Sequence, residues 1–146
     1  MLVQLIIRKA TAQWRAGSKN DTRVVSTGSG VLKDVRCGSG TSLKENSGTD
    51  PAELIAAAHA GSFSLALSKE LKLAPSASGN ITTTATVTTE HLATGWTITS
   101  IHLNIIARLP NVTQSEFIDA TVRAKTSCVV SQLLRATISM NAKLGK

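Results

Sequence analysis

The chain has 146 residues, 42% hydrophobic and 17% charged, the size and balance of one globular domain, which excludes a disordered or fibrous polymer. Its net charge is +7, and residues 1–44 hold eight of the sixteen Lys and Arg against two acids, Asp21 and Asp34. A basic end of this kind attracts anions, but only Trp14, Phe63, Trp96 and Phe117 offer stacking faces, which argues against a nucleic-acid reader and for a solvated basic face or a small-anion site.

Met1 to Lys9 place the basic pair after a short apolar run, the reverse of the order in a secretory signal. No stretch approaches the roughly 20 apolar residues that cross a bilayer. Two cysteines far apart, Cys37 and Cys128, make no disulfide framework. These features together predict a cytoplasmic protein with no membrane association.

Residues 3–14 and 23–33 are rich in β-branched residues, and the turn formers of 16–21 between them predict a hairpin with a basic loop. A turn at Gly28-Ser29-Gly30 follows, then Cys37-Gly38-Ser39-Gly40 interrupts before a short strand near 41–45. Asp50-Pro51-Ala52-Glu53 combines a capping aspartate, a proline suited to the first helical position and a glutamate three residues after the cap. A helix therefore starts here and runs to about Lys72. Leu54, Ala58, Leu65 and Leu71 keep helical spacing, and Ala56, Ala57, Ala60 and Gly61 permit close packing, so this helix is expected to be central and largely buried.

Mostly alternating apolar and polar residues over 81–87 and 96–105, separated by Ala93-Thr94-Gly95, predict a long antiparallel hairpin. Pro110 ends it. Thr113 and Glu116 repeat the capping-box spacing ahead of a second helix over 113–127, which leaves Cys128 at or just beyond its end. Ile138, Met140, Ala142 and Leu144 alternate strictly, a strand with one covered face. The expected class is α+β with antiparallel pairing, in one domain spanning 1–146.

Three stretches carry a family likeness: Val25 to Leu32 (VSTGSGVL), Gly48 to Ala60 (GTDPAELIAAAHA) and Ala124 to Gln132 (AKTSCVVSQ). In order and spacing they resemble the OsmC/Ohr proteins, closer to the osmotically inducible branch, over roughly residues 10–144. The resemblance implies antiparallel sheets around a central helix with a second helix, in an interlocked homodimer with active sites at its interface. It also implies oxidative and osmotic stress chemistry of a peroxiredoxin-like kind, in which a thiolate on the central helix attacks an organic hydroperoxide. A second cysteine then forms a disulfide with it, and a dithiol such as a lipoylated protein restores both. An arginine of the amino-terminal loop and a glutamate in the first turn of the central helix assist the thiol.

Carried over by position, the attacking cysteine falls on Ser62 and the glutamate on Ala52, while the arginine falls close to Asn20, with Arg15, Lys19 or Arg23 as substitutes. Only the resolving-type cysteine, Cys128, is in place, followed by Val129 where the family commonly has proline. A serine hydroxyl is neither a soft nucleophile near neutral pH nor recyclable as a sulfenic acid is, so Ser62 is not expected to reduce peroxide. As half of a hydrolytic triad with His59, Ser62 would lack an exposed elbow and oxyanion donors, and a packing role for both is favoured. Glu53 is assigned to capping. Cys128 is either an inert buried thiol or the single reactive one, with the carboxyl end of a helix expected to raise its pKa, against which Arg123 and Lys125 could act. Cys37 is an unorthodox candidate partner thiol. No metal spacing and no phosphate loop occur, so no cofactor is expected. The readings are therefore a stress-family homodimer with standard peroxidase activity lost or weak, a one-cysteine peroxidase on Cys128, or a dimer holding an apolar small molecule in the family pocket.

Overall fold

The computed structural model of the chain describes residues 4–15, 22–38, 48–74 and 77–145. They fall into two units, residues 1–51 and 52–146. In the first, β1 (Ala10–Arg15), β2 (Thr22–Thr27) and β3 (Val35–Arg36) form an antiparallel sheet in that order. The expected hairpin is present with shorter strands, Ala10 lying opposite Thr27 and Arg15 opposite Thr22. Its loop and the strand expected near 41–45 lie outside the described residues. After β2 the chain turns at Gly30, whose φ of 77° costs a glycine nothing and whose N–H donates to Thr27 O at 2.9 Å.

α1 (Pro51–Glu70) opens on its proline, whose fixed φ suits the first turn. It closes two residues before the expected Lys72. There the Lys72 N–H donates to Lys69 O and the Leu73 N–H to Ser68 O, each at 3.0 Å, with Lys72 at φ 54°. This is the double hydrogen bond that satisfies the last carbonyls of a helix, with a lysine in the left-handed position where glycine is usual. A side chain is strained there. Lys72→Gly is expected to stabilise the protein by about 0.5 kcal/mol, a rise in Tm of about 1–2 °C in thermal denaturation. An unchanged or lower Tm would mean that the lysine makes compensating contacts.

In the second unit, β4 (Asn80–Leu92) and β5 (Gly95–Arg108) form the expected hairpin, longer than the spacing implied and with one irregularity between Thr88 and Thr89. β6 (Thr137–Gly145) completes the order β4-β5-β6. It lies parallel to β5, from Ser100 opposite Thr137 to Arg108 opposite Gly145, which corrects the antiparallel pairing expected of this strand. The chain leaving β5 passes through α2 (Gln114–Ser127) and α3 (Val129–Leu133) before returning, a crossover long enough to bring a strand back in the same direction. Alternation along a strand is the same for either direction and could not reveal this.

α2 begins as its sequence requires: the Glu116 N–H donates to Thr113 Oγ1 at 3.2 Å and the Thr113 N–H to Glu116 Oε2 at 2.9 Å. The bond from the Thr113 N–H, with hydrogen bonding from the Thr113 side chain, holds the Glu116 carboxyl below the usual glutamate range. Phe63 and Leu67 of α1, Ile101, Leu103, Ile105 and Ala107 of β5, and Phe117, Ala120 and Ala124 of α2 make one buried cluster. The buried stripe of α1 is thus His59, Phe63 and Leu67, four residues apart. Leu65 and Ala58, expected on the buried face, are exposed: Leu65 lies two residues, more than half a turn, from both Phe63 and Leu67, and Ala58 lies about 100° around the helix from His59. The class is α+β, two three-stranded sheets with three helices.

Candidate functional site

The second unit brings Ser62 and Cys128 together across 66 residues of sequence: the Cys128 thiol donates to Ser62 Oγ at 3.2 Å. Ser62 is half-buried on α1, between buried His59 and Phe63 on either side of it in sequence. Cys128 is fully buried. Its N–H closes α2 by donating to Ala124 O at 2.8 Å, while its extended ψ of 120° breaks the helix and aims the chain into α3. One cysteine therefore ends one helix and precedes the next.

That dual position reverses an expectation. Burial pushes the Cys128 thiol up, but hydrogen bonding with the Ser131 and Ser62 side chains, and with the backbone of Ser131 and Val130, brings it below the ordinary cysteine value. The carboxyl end of α2 by itself would raise it. Of the two cations that could have helped, Arg123 is held at 2.9 Å by Glu70 on α1, and Lys125 is exposed.

His59 does not pair with Ser62. Its Nε2 is 2.7 Å from the Ser131 hydroxyl, on α3. The ring is fully buried, and Nδ1 has no hydrogen-bond partner among the described residues. Burial holds the imidazole below the usual histidine range, so it is neutral at physiological pH. Ser131, which the sequence does not single out, sits on the short α3, whose start has no side-chain cap and so leaves no local signal.

The other positions are less connected. Ala52 is half-buried and Glu53 exposed in the first turn of α1. Asn20 and Lys19 lie outside the described residues, whereas Arg15 and Arg23 are on β1 and β2 of the first unit. Cys37 is also there, half-buried, beside a cavity of about 350 Å³ that Trp14, Arg23 and Pro51 also line. Among the described residues, no three His, Cys, Asp or Glu are grouped to hold a metal ion, and no helix is long and apolar enough to cross a membrane.

The chain resembles known proteins over nearly its whole length. Residues 44–143 match the family described as OsmC-like protein. The chain is 39% identical over 139 residues to the peroxiredoxin OsmC of Escherichia coli K12, covering 95% of this chain and 97% of that one. Among solved structures, an organic hydroperoxide resistance protein of Elizabethkingia anophelis is 26% identical with a TM-score of 0.70, covering 99% of each chain. An OsmC-like protein of unknown function from Vibrio cholerae is 12% identical with a TM-score of 0.76, over 95% of this chain and 100% of that one, a likeness of fold alone. The chain belongs to the OsmC-like protein family.

Proposed function

We propose that the protein is a homodimeric, cytoplasmic member of the hydroperoxide-reducing stress class in which the two-cysteine reaction is lost or severely weakened. The observation that carries this is the oxygen of Ser62 at 3.2 Å from the Cys128 sulfur, in the place the family resemblance gives to the attacking thiol. Oxygen there cannot form the disulfide that ends the catalytic cycle. Ala52 supplies a methyl group where a carboxylate would assist the thiol.

Two features favour the homodimer. Ala57, Gly61 and Leu65 form an exposed stripe along α1, narrow enough for a second helix to approach closely. Positions 52 and 62 are about 15 Å apart along the helix axis, so a glutamate at one could assist a thiol at the other only between two copies.

The test is turnover of cumene hydroperoxide by the purified protein with dihydrolipoamide as reductant. Rates near the uncatalysed background are expected. Brisk dithiol-driven turnover, undiminished in Cys128→Ser, would overturn the proposal.

A second reading, one-cysteine peroxide reduction on Cys128 resolved by an external thiol, is favoured by the direction of the Cys128 pKa. In that case mass spectrometry after peroxide treatment finds a sulfenate or a mixed disulfide on Cys128.

A further inference from the structure

His59 is wholly buried on α1, and the side-chain partner of its ring is Ser131, whose Oγ lies 2.7 Å from Nε2. Ser131 belongs to α3, a weakly held element. α3 has five residues, none of them fully buried, and no side chain caps its start. Val129 and Leu133 face solvent, while Val130 and, just after the helix, Leu134 reach partly into the core. Gln132 Nε2 donates to Thr126 O of α2 at 3.1 Å. At the entrance to α3 stands Cys128, fully buried, with its thiol donating to Ser62 Oγ of α1. We propose that α3 is an acid-released latch: protonation of His59 frees α3 from α1, and the Cys128 thiol becomes accessible to solvent and to small thiol-directed reagents. The release is independent of any peroxide chemistry at Cys128.

The closed site can hold the neutral ring but not the charged one. A neutral imidazole has one N–H and one bare nitrogen, and the Ser131 hydroxyl can serve Nε2 in either form. An imidazolium has two N–H donors and a positive charge, against one hydroxyl oxygen and no partner at Nδ1 among the described residues. No carboxylate answers that charge. On α1, Glu53 and Lys69 are exposed and Glu70 is bound to Arg123 of α2; on α2, Glu116, Asp119 and Lys125 are exposed. α3 carries no charged residue, Arg135 beyond it is exposed, and the β4–β6 sheet presents Glu90, His91, His102, Arg108 and Lys143, all exposed. Wetting a charged ring therefore requires a neighbouring element to withdraw. α1 is anchored by Phe63 and Leu67 and stays, whereas α3 separates for the loss of a few hydrogen bonds and two partly buried side chains.

The direction with pH follows from burial. In the closed form desolvation holds His59 below the usual histidine range, and in the open form the wetted ring returns to about 6.5. The open form thus binds the proton more readily. Closure is fully favoured above about pH 6.5 and is lost progressively as pH falls from there toward the lowered value, the opening constant rising by up to about tenfold per unit.

The latch is tested in Cys37→Ser, where Cys128 is the sole cysteine, by timing its reaction with dithiodipyridine, a disulfide reagent that still labels thiols in acid. Each rate is divided by that of a free cysteine peptide at the same pH, so that the titration of an exposed thiol cancels. The relative rate is expected to rise about tenfold between about pH 7.5 and 5.5. His59→Gln, whose amide still reaches Ser131 but takes no proton, is expected to abolish that rise, which a merely structural histidine would leave in place. Ser131→Ala is expected to raise the relative rate several-fold at about pH 7.5 and to keep the acid dependence, because His59 remains. Amide hydrogen exchange, corrected for intrinsic rates, is expected to quicken in acid over α3 while Phe117 to Ala124 and Ile101 to Ala107 stay protected. A relative rate that is flat with pH, an acid rise that persists in His59→Gln, or protection lost equally in α2 and β5 overturns the latch. Should His59→Gln fail to fold, the exchange of the parent decides, and α3 protection that does not fall in acid is the refuting result.

Discussion

Replacing Ser62 by cysteine is expected to raise dithiol-dependent turnover of alkyl hydroperoxides at neutral pH at least about a hundredfold over the parent chain. The new sulfur would sit where Oγ now lies 3.2 Å from Cys128 Sγ. A disulfide needs about 2.05 Å, so the pair must close by about 1 Å, within reach of side-chain rotation on a helix and a loop. Sulfenic acid formed on residue 62 then has the Cys128 thiol beside it to condense with. Stopped-flow peroxide consumption measures the gain, and non-reducing mass spectrometry finds the link between the introduced sulfur and Cys128 as a loss of two hydrogens. Because Ala52 also departs from the expected pattern, the Ala52→Glu, Ser62→Cys double variant is expected to exceed the single one. If both variants stay at background while folded, the oxygen-for-sulfur account of this site is wrong.

Phe63→Ala is expected to cost about 3–5 kcal/mol of stability. The ring is fully buried with Leu67, the β5 face and Phe117, and removing it leaves a cavity that helices and a sheet cannot collapse to fill. For a chain of this length that is a fall in Tm of about 6–20 °C, measured at one protein concentration so that self-association does not confound it. Urea denaturation supplies the free energy directly. A loss below about 1 kcal/mol would mean that Phe63 does not fill the core as described. Since His59 lies one turn of α1 before Phe63, the surviving folded fraction should also show a weakened His59–Ser131 contact.

Elements whose signals are local were legible in the sequence. Thr113 and Glu116 announce α2 because both halves of the capping box lie within four residues, and Pro51 marks the start of α1 for a similar reason. What depended on distant partners was not. The alternation of β6 says that one face is covered but not by which neighbour or in which direction, so the parallel pairing with β5 stayed hidden. α3, five residues beginning Val129-Val130, has no capping signal and too little length for a period. Missing it hid Ser131 and gave Cys128 the wrong expected pKa direction. The site was half legible: resemblance brought Ser62 and Cys128 to attention, but His59 lies three residues from Ser62 and bonds a serine 72 residues away, a choice made by packing.

The parallel docking of β6 also has a consequence for synthesis on the ribosome. β4 and β5 pair as soon as their tight turn emerges, but the far edge of β5 gains its neighbour only after the intervening helices and all of β6 are available. Through that interval, Ile101 to Arg108 offer bare amides and carbonyls on an apolar strand, a template to which other nascent chains can add. Such late, non-local closure makes folding slow relative to a helical bundle of equal length. Yield in cells should therefore respond more strongly to chaperone supply and growth temperature than equilibrium stability alone would suggest.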